Sequence, residues 1–481
     1  MMNERKLFIN GQWVAQTDGS VIDDTCPLDG ALYARVHTAG SSDLESALCA
    51  AQAAFPTWSR KLAHEREKLI NDAAAELERR MDDAVALLID EAGSAWLKAS
   101  AEVRGTIDLM RSAAGECRRV NGEVFMPAIT DNFSFSVRVP MGVILGIAPF
   151  NYPLLIAMKK VVYALAAGNT VILKPATATP LTGLFIAEIF ESVGLPAGAL
   201  NVVPCAGALV GKQLISDPRI KAVSFTGSYE VGAQIASQAG ALMKRCCMEL
   251  GGKNPMIVLD DYDVDEAVRI SGYGAFLNQG QVCMATSRII VGSAIYEEFC
   301  QKMKLRAENI KVGDPHDHDT VVGPLIRTSQ CELIDRQIQD ALSKGARLLT
   351  GGTHTGPFYA PTVLADVTPE MDIFYDESFG PVTSIVRADD SEHALALCND
   401  NHYGLSAALL TNDVTKAVSM SLRMDSGKIH VNNSTMVLSN TAPSGGFRMS
   451  GMGKENGRYF IEELTDLKWI TIQYGPTKFS F

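Results

Sequence analysis

The chain has 481 residues, 47% of them hydrophobic and 20% charged, enough to bury a large core and to form roughly two to four domains. With 43 basic against 55 acidic residues the formal charge is −12, and no basic run stands out, which excludes a surface made to hold nucleic acid. No apolar run approaches the ~18 residues of a membrane span, and the opening Met-Met-Asn-Glu-Arg-Lys-Leu-Phe-Ile-Asn lacks the apolar stretch of a secretory leader, so no membrane partner and a cytoplasmic location are expected.

Residues 7–12 read as a short hairpin about an Asn-Gly turn. Helical patterns follow over 42–54, 63–91 and 101–119, none with chemistry visible in its sequence. Residues 120–139 alternate in the manner of strands and suit an arm or an interface. From Gly142 an α/β rhythm begins. Apolar strands at 143–148, 170–173, 200–203 and 222–225 alternate with helices ending near 167, 193, 215 and 242. Strands apolar throughout and separated by helices imply a parallel sheet covered on both faces, with ligands beyond the strands' carboxyl ends. Asn151, Lys174, Gly207 and Gly227 all fall just past strand ends and should gather on one edge.

A second α/β series starts at 255–259. It runs through a helix at 264–277, a loop holding Cys283, a strand at 288–291 and a helix at 294–310, with weaker elements to 428–432. The glycines between Glu249 and Asn254 mark the joint between the two series. The stretch 467–473 reads as a late strand fit to pair with the 120–139 arm, including that of another subunit.

Ten cysteines, at 26, 49, 117, 205, 246, 247, 283, 300, 331 and 398, are scattered without CxxC pairs or zinc spacing, so reduced packing residues and no metal site are expected. Cys283 is set apart by its surroundings, the segment Asn278-Gln-Gly-Gln-Val-Cys-Met-Ala285. A thiolate nucleophile needs a cation, a helix N-terminus or a nearby base. Glu249, heading Glu249-Leu-Gly-Gly-Lys-Asn-Pro255, suits either a turn-capping carboxylate or a general base tuned by burial. Asn151 suits a helix cap, an oxyanion donor, or both. No histidine lies close in sequence to these motifs, which weighs against a Cys–His hydrolase.

Seven motifs follow in order. They are Pro149-Phe-Asn-Tyr-Pro153, Leu173-Lys-Pro-Ala176, Phe225-Thr-Gly-Ser228, the Glu249 segment, Gly280-Gln-Val-Cys283, Glu377-Ser-Phe-Gly-Pro-Val382 and Pro443-Ser-Gly-Gly-Phe-Arg-Met-Ser-Gly451. This series resembles the aldehyde dehydrogenase superfamily over essentially the whole chain. The loop about Cys283 and the closing stretch from Leu464 look most like its vanillin, salicylaldehyde and benzaldehyde dehydrogenases. The resemblance implies an α/β fold with a Rossmann-like cofactor domain (1–119 and 140–251), a second α/β catalytic domain (252–450) and a small β oligomerisation arm (120–139 and 464–481) of a homodimer or homotetramer.

It also implies NAD(P)-dependent oxidation of an aldehyde to the carboxylic acid. Cys283 matches the nucleophile that forms a thiohemiacetal and then a thioester. Asn151 and the Cys283 N–H match the oxyanion donors, and Glu249 the base that activates water. Lys174 matches a ribose ligand and Glu377 the holder of the nicotinamide ribose. Ala148, Pro149, Phe150, Ala176, Thr177, Gly207, Gly211, Phe225, Gly227, Ser228, Gly232, Leu250 and Phe379 match the remaining cofactor positions. Thr177 departs from the Glu of many NAD-preferring relatives and would admit a 2′-phosphate, so NADP is expected to be accepted, alongside or in place of NAD.

Tyr152, Leu155, Lys159, Met284, Met436, Val437 and Ser444 fall at tunnel positions, in addition to Asn151. Lys159 stands where many relatives have an aromatic residue, and is either a snorkelling lysine or a cation for a phenolate or carboxylate. The expected substrate is a substituted aromatic aldehyde. The alternatives are a carboxylate-bearing semialdehyde and a CoA-acylating reaction, the latter disfavoured by Glu249. A noncatalytic relative would have lost Cys283 or Glu249, and neither is lost.

Overall fold

The structure is a computed structural model and describes residues 4–477 and 479. Residues 1–3 of the opening segment and residues 478, 480 and 481 of the expected tail lie outside the described residues. Among the described residues no helix is long and apolar enough to cross a membrane.

Two large sheets carry the chain. In the first, five strands run parallel in the order Arg245–Glu249, Ile220–Thr226, Val143–Ile147, Thr170–Lys174, Leu200–Val202. Gly451–Met452 closes one edge antiparallel to Arg245–Glu249, and the hairpin Leu7–Ile9 with Gln12–Val14 closes the other. The chain enters at the middle strand, Val143–Ile147, builds outward one way, then crosses back to Ile220–Thr226. This reversal opens a crevice between the ends of two neighbouring strands, the place where such sheets bind ligands. The central strands Val143–Ile147 and Thr170–Lys174 are buried throughout, as a sheet covered on both faces demands.

The second sheet has seven strands, parallel except for the edge strand Arg347–Thr350. Thr286–Gly292 lies between Asn254–Val258 and Val382–Ala388. The joint between the sheets is the tight segment from Glu249, last residue of the first sheet's strand, to Asn254, first residue of the second sheet's.

The arm is a three-stranded antiparallel sheet. Thr465–Gln473 pairs with Asn132–Pro140 along its whole length, and Val124–Phe125 flanks the other side. The tail strand therefore pairs with the arm of its own chain. Asn169, fully buried, explains why. Its side-chain oxygen accepts the N–H groups of Met141 (2.7 Å) and Gly142 (3.0 Å), and its amide donates to the Leu464 carbonyl (2.8 Å). One side chain thus pins the roots of both strands to the first sheet. The arm leaves Met126, Phe133, Trp469, Ile472 and Tyr474 largely exposed.

Two helical expectations need correction. The pattern over 63–91 is two helices, Ala63–Arg79 and Met81–Ala92, with a break at Arg80 (φ −99°, ψ 24°). Neither glycine nor proline marks the break. The Arg80 guanidinium pairs with Glu188 at 3.1 Å and stands over the Phe185 ring, so contacts with the helix Pro180–Ser192 turn the chain there. The helix expected to stop at residue 54 continues as Ser41–Ser59 through Pro56, its last turn anchored by the buried Trp58.

Replacing Asn169 by Ala removes three hydrogen bonds and leaves buried N–H and C=O groups unpaired, a cost of about 2–4 kcal/mol. Thermal unfolding should show a lowered midpoint for this variant, with faster amide exchange in both arm strands. An unchanged midpoint would mean that the arm roots are held by other contacts.

Candidate active site

The loop that carries Cys283 leaves the helix Val264–Phe276 and enters the strand Thr286–Gly292. Asn278 (φ 53°), Gln279 (φ 55°) and Gly280 (φ 68°) take left-handed backbone one after another. Such a conformation costs roughly 1–2 kcal/mol for each residue with a side chain, so the surroundings must over-determine it. They do. The Asn278 amide donates to the carbonyls of Asn151 and Gln281, each at 3.3 Å. The Gln279 amide donates to those of Gly93 and Pro324, each at 3.1 Å. At Gly280 a side chain is excluded outright, because a Cβ would lie 2.0 Å from the Gly380 carbonyl oxygen. From the joint, the Asn254 amide donates to the carbonyls of Cys283 (2.8 Å) and Ala285 (3.0 Å). Gly252 packs against the same loop, where a Cβ would stand 2.9 Å from the Cys283 oxygen. The Cys283 N–H has no hydrogen-bond acceptor among the described residues.

Asn151 follows the strand Val143–Ile147 and precedes the helix Pro153–Ala166. Its side chain does not cap that helix. The amide Nδ2 donates to the Gln281 carbonyl at 3.0 Å, beside the thiol. The capping is done by Glu102, whose Oε1 accepts the N–H groups of Leu154 (2.9 Å) and Leu155 (3.1 Å). Lys98 completes the support. Its Nζ donates to Glu102 (2.6 Å), Ser94 (2.9 Å) and the Asn151 carbonyl (2.7 Å), and stands 4.3 Å from the Tyr152 ring centroid. The helix Trp96–Glu116 therefore does contribute to the site, through an i, i+4 ion pair that is entirely buried.

Glu249 ends its strand beside the thiol. Burial raises its carboxyl above the usual range, and the Lys428 ammonium partly opposes this. Burial also lifts the Cys283 thiol well above its usual range, and the Glu249 charge lifts it further. The resting pair is therefore a neutral thiol next to a carboxyl with heightened proton affinity. Glu377 is fixed by the Gly252 N–H (3.1 Å) and pushed by burial up to about 7.

One cavity of about 1220 Å³ joins these groups. Asn151, Glu249 and Cys283 line it, as do Ala148, Pro149, Phe150, Lys174, Ala176, Thr177, Gly207, Gly211, Phe225, Gly227, Ser228, Glu377 and Phe379. Gly232 and Leu250 do not. They pack on each other, a Cβ at Gly232 lying 2.4 Å from Leu250, and set the spacing of helix and sheet behind the cavity wall.

The cavity suits an elongated dinucleotide. Its lining includes the exposed Thr177 and Lys212, and Lys174, whose ammonium spends one of its N–H groups on the Pro175 carbonyl (2.9 Å). Gly227 and Ser228, also in the lining, open the 13-residue helix Tyr229–Ala241, a positive dipole end for phosphates. Glu377 lies near enough to act on the thiol, and Phe379 stands edge-on to Phe150.

The tunnel residues separate into groups. Tyr152, Met284 and Met436 pack with Leu277 and Cys283 in one apolar cluster. Ser444 accepts a hydrogen bond from Lys428 at 3.3 Å. Lys159 pairs with Glu455 at 3.1 Å, and Lys160 with the same carboxylate at 3.3 Å. Burial alone would raise Glu455, but Lys160 and Lys159 outweigh it and hold the carboxyl down at about 2. Leu155 belongs to the core under the first sheet, and Val437 is half-buried outside the apolar cluster. Lys98, Glu102, Asn254, Lys428 and Glu455 were not evident as site residues from sequence. Only the Lys98–Glu102 spacing gave a local signal.

The model of the aldehyde dehydrogenase family matches residues 13–470. A vanillin dehydrogenase of Pseudomonas fluorescens is 37% identical over 476 residues, covering 98% of each chain. An NAD(+) benzaldehyde dehydrogenase of Pseudomonas putida is 37% identical over 478 residues, 99% of this chain and 98% of that one. The crystal structure of a salicylaldehyde dehydrogenase from Pseudomonas putida G7 with salicylaldehyde superposes with a TM-score of 0.98 at 34% identity, covering both chains fully.

Alkylation of Cys283 by iodoacetamide, followed by peptide mapping in the absence of cofactor, should rise with pH to a midpoint above ~8.5, the value of free cysteine. Removing the neighbouring negative charge in Glu249→Gln should move the midpoint to lower pH. A wild-type midpoint at or below that of free cysteine would contradict the electrostatic assignment.

Proposed function

We propose, for a chain that belongs to the aldehyde dehydrogenase family and is an NAD(P)-dependent oxidoreductase acting on aldehydes, that its substrate is an aromatic aldehyde bearing a polar substituent. The observation that carries this reading is the apolar cluster containing Met284 and Met436, against which Tyr152, Leu277 and Cys283 all pack. It brings apolar and aromatic side chains to the thiol, and Lys428, bonded to Met284 and Ser444, adds a polar group beside them. The vanillin, benzaldehyde and salicylaldehyde enzymes it resembles over full length support the same reading.

In this reading Cys283 Sγ bonds to the formyl carbon as its proton passes to solvent water, and Glu249, whose raised proton affinity suits a base near neutrality, is kept for the later step. The oxyanion formed on the thiohemiacetal is received by Asn151 Nδ2–H and the Cys283 N–H, groups fixed before the reaction begins. The bound nicotinamide supplies the acceptor for the hydride that leaves the former formyl carbon, and a thioester remains on Cys283. Glu249 then draws a proton from water, which attacks the thioester. The carboxylate departs and the thiol is restored. Water as the acceptor sets this apart from the CoA-acylating alternative.

The cofactor unit in this reading is 1–119 with 140–251, the catalytic unit 252–450, and the arm 120–139 with 464–481. The arm's exposed apolar side chains support assembly into a homodimer or homotetramer. Lys174, Lys212 and Thr177 in the cavity lining favour acceptance of NADP⁺ beside NAD⁺. Lys174 and Glu377 hold the two riboses, and Gly207, Gly211, Gly227 and Ser228 the pyrophosphate.

A panel of benzaldehyde, vanillin, salicylaldehyde and short aliphatic aldehydes, run in parallel with NAD⁺ and NADP⁺, tests substrate and cofactor together. The aromatic members should lead in kcat/KM, and both cofactors should serve. Thr177→Glu should lower kcat/KM for NADP⁺ by about 10-fold or more relative to NAD⁺. Aliphatic preference, or rejection of NADP⁺ by the wild type, would refute the corresponding part.

A further inference from the structure

Three lysines stand on the substrate side of the thiol, and only two are satisfied by carboxylate. Lys159 and Lys160 share Glu455. Lys428, which leads into the edge strand Ile429–Val431, has no carboxylate within ion-pair distance among the described residues. Its Nζ donates instead to Met284 Sδ (2.8 Å) and Ser444 Oγ (3.3 Å). A thioether is a poor acceptor and a single hydroxyl a neutral one. An ammonium taken from water with only these partners is costly unless an anion completes it.

The surroundings show where that anion would come from. Met284 follows Cys283 in sequence and belongs to the collar that seats the substrate. Ser444 pairs through its backbone with Glu455, so Lys428 is tied to the Lys159–Glu455–Lys160 group without sharing its carboxylate. Burial pushes the Lys428 ammonium below its usual range, and Glu249 and Cys283 act to hold its charge. This part of the site therefore holds two lysines on Glu455 and a third, Lys428, bonded to a thioether and a hydroxyl. Its one cation without a carboxylate lies beside the residue next to the nucleophile.

We propose that Lys428 is the specificity-determining residue, and that its ammonium receives an anionic oxygen, phenolate or carboxylate, carried on the aldehyde. Lys159, the cation that the sequence suggested for this task, is engaged by Glu455 at 3.1 Å. The inference rests on the aromatic reading only for the scaffold that bears the anion. The same ammonium would take a short aliphatic semialdehyde, and the experiment separates these sources.

Wild-type enzyme, Lys428→Met, Lys428→Gln and Lys428→Arg are compared on two matched pairs, 2-formylbenzoate with benzaldehyde and succinic semialdehyde with butanal. The wild type should prefer the anionic member of the pair it uses. Lys428→Met and Lys428→Gln should each lower that preference, as a ratio of kcat/KM values, by about 10- to 100-fold, mainly through KM. Lys428→Arg, which keeps the charge, should stay within about 3-fold of the wild-type ratio. A preference equal in all four enzymes, or an equal loss on charged and neutral members, would overturn the proposal, the second result assigning Lys428 to the thiol. Failure of the aromatic reading looks different, because activity would then be confined to the aliphatic pair, on which the Lys428 ratio is read in the same way.

Discussion

The chemistry of this protein depends on a backbone held where backbone does not ordinarily go. Asn278, Gln279 and Gly280 all lie in the left-handed region, and five residues hold that run and the stretch from it to Ala285. Asn254 and Gly252 come from the joint between the sheets, Asn151 from the first sheet's crevice, and Gly93 and Pro324 from loops on either side. Each contact crosses between parts of the chain far apart in sequence. The loop is thus fixed by the fold as a whole, with the Asn151 amide bonded to the Gln281 carbonyl two residues before Cys283. Donors placed in advance need no reorganisation when negative charge develops, and this is what the proposed oxyanion donors, Asn151 and the Cys283 N–H, would contribute.

Burial sets the electrostatics of the same loop. A thiol shut away from water and next to a carboxylate keeps its proton, and a carboxyl shut away from water takes one readily. Lys428, bonded to Met284 and Ser444, acts on this pair in the opposite sense to burial at Glu249, while Lys159 and Lys160 share the Glu455 carboxylate. Glu377, fixed by the Gly252 N–H, links the cavity lining to the same joint that holds the Cys283 loop. Movement at that joint would disturb the thiol and the cofactor seat together.

The α/β rhythm, the parallel sheets and the crevice edge were legible in the sequence because each rests on local pattern: apolar strands, helix starts, and glycines or asparagines just past strand ends. Cys283, Glu249 and Asn151 were legible because their motifs are short and ordered along the chain, and the structure brings all three to one cavity. What escaped was long-range. The break at Arg80 comes from a guanidinium reaching a helix 108 residues away. Asn151 is relieved of capping by Glu102, which acts across the 52 residues separating it from Leu154. Lys428 and Glu455 read as ordinary surface charges until the fold turns them toward the thiol. Lys159 drew attention for its residue type alone, and its ion pair with Glu455 could not be read from spacing.

The central claim is that Cys283 takes the substrate covalently and that Glu249 releases it. Intact-protein and peptide mass spectrometry of Glu249→Gln, mixed with benzaldehyde and NAD⁺ and quenched in acid, tests this most directly. The account predicts a benzoyl adduct confined to the Cys283 peptide, with one equivalent of NADH formed in a burst and slow turnover afterwards. An adduct on another residue, or full steady turnover with no acyl-enzyme, would contradict it.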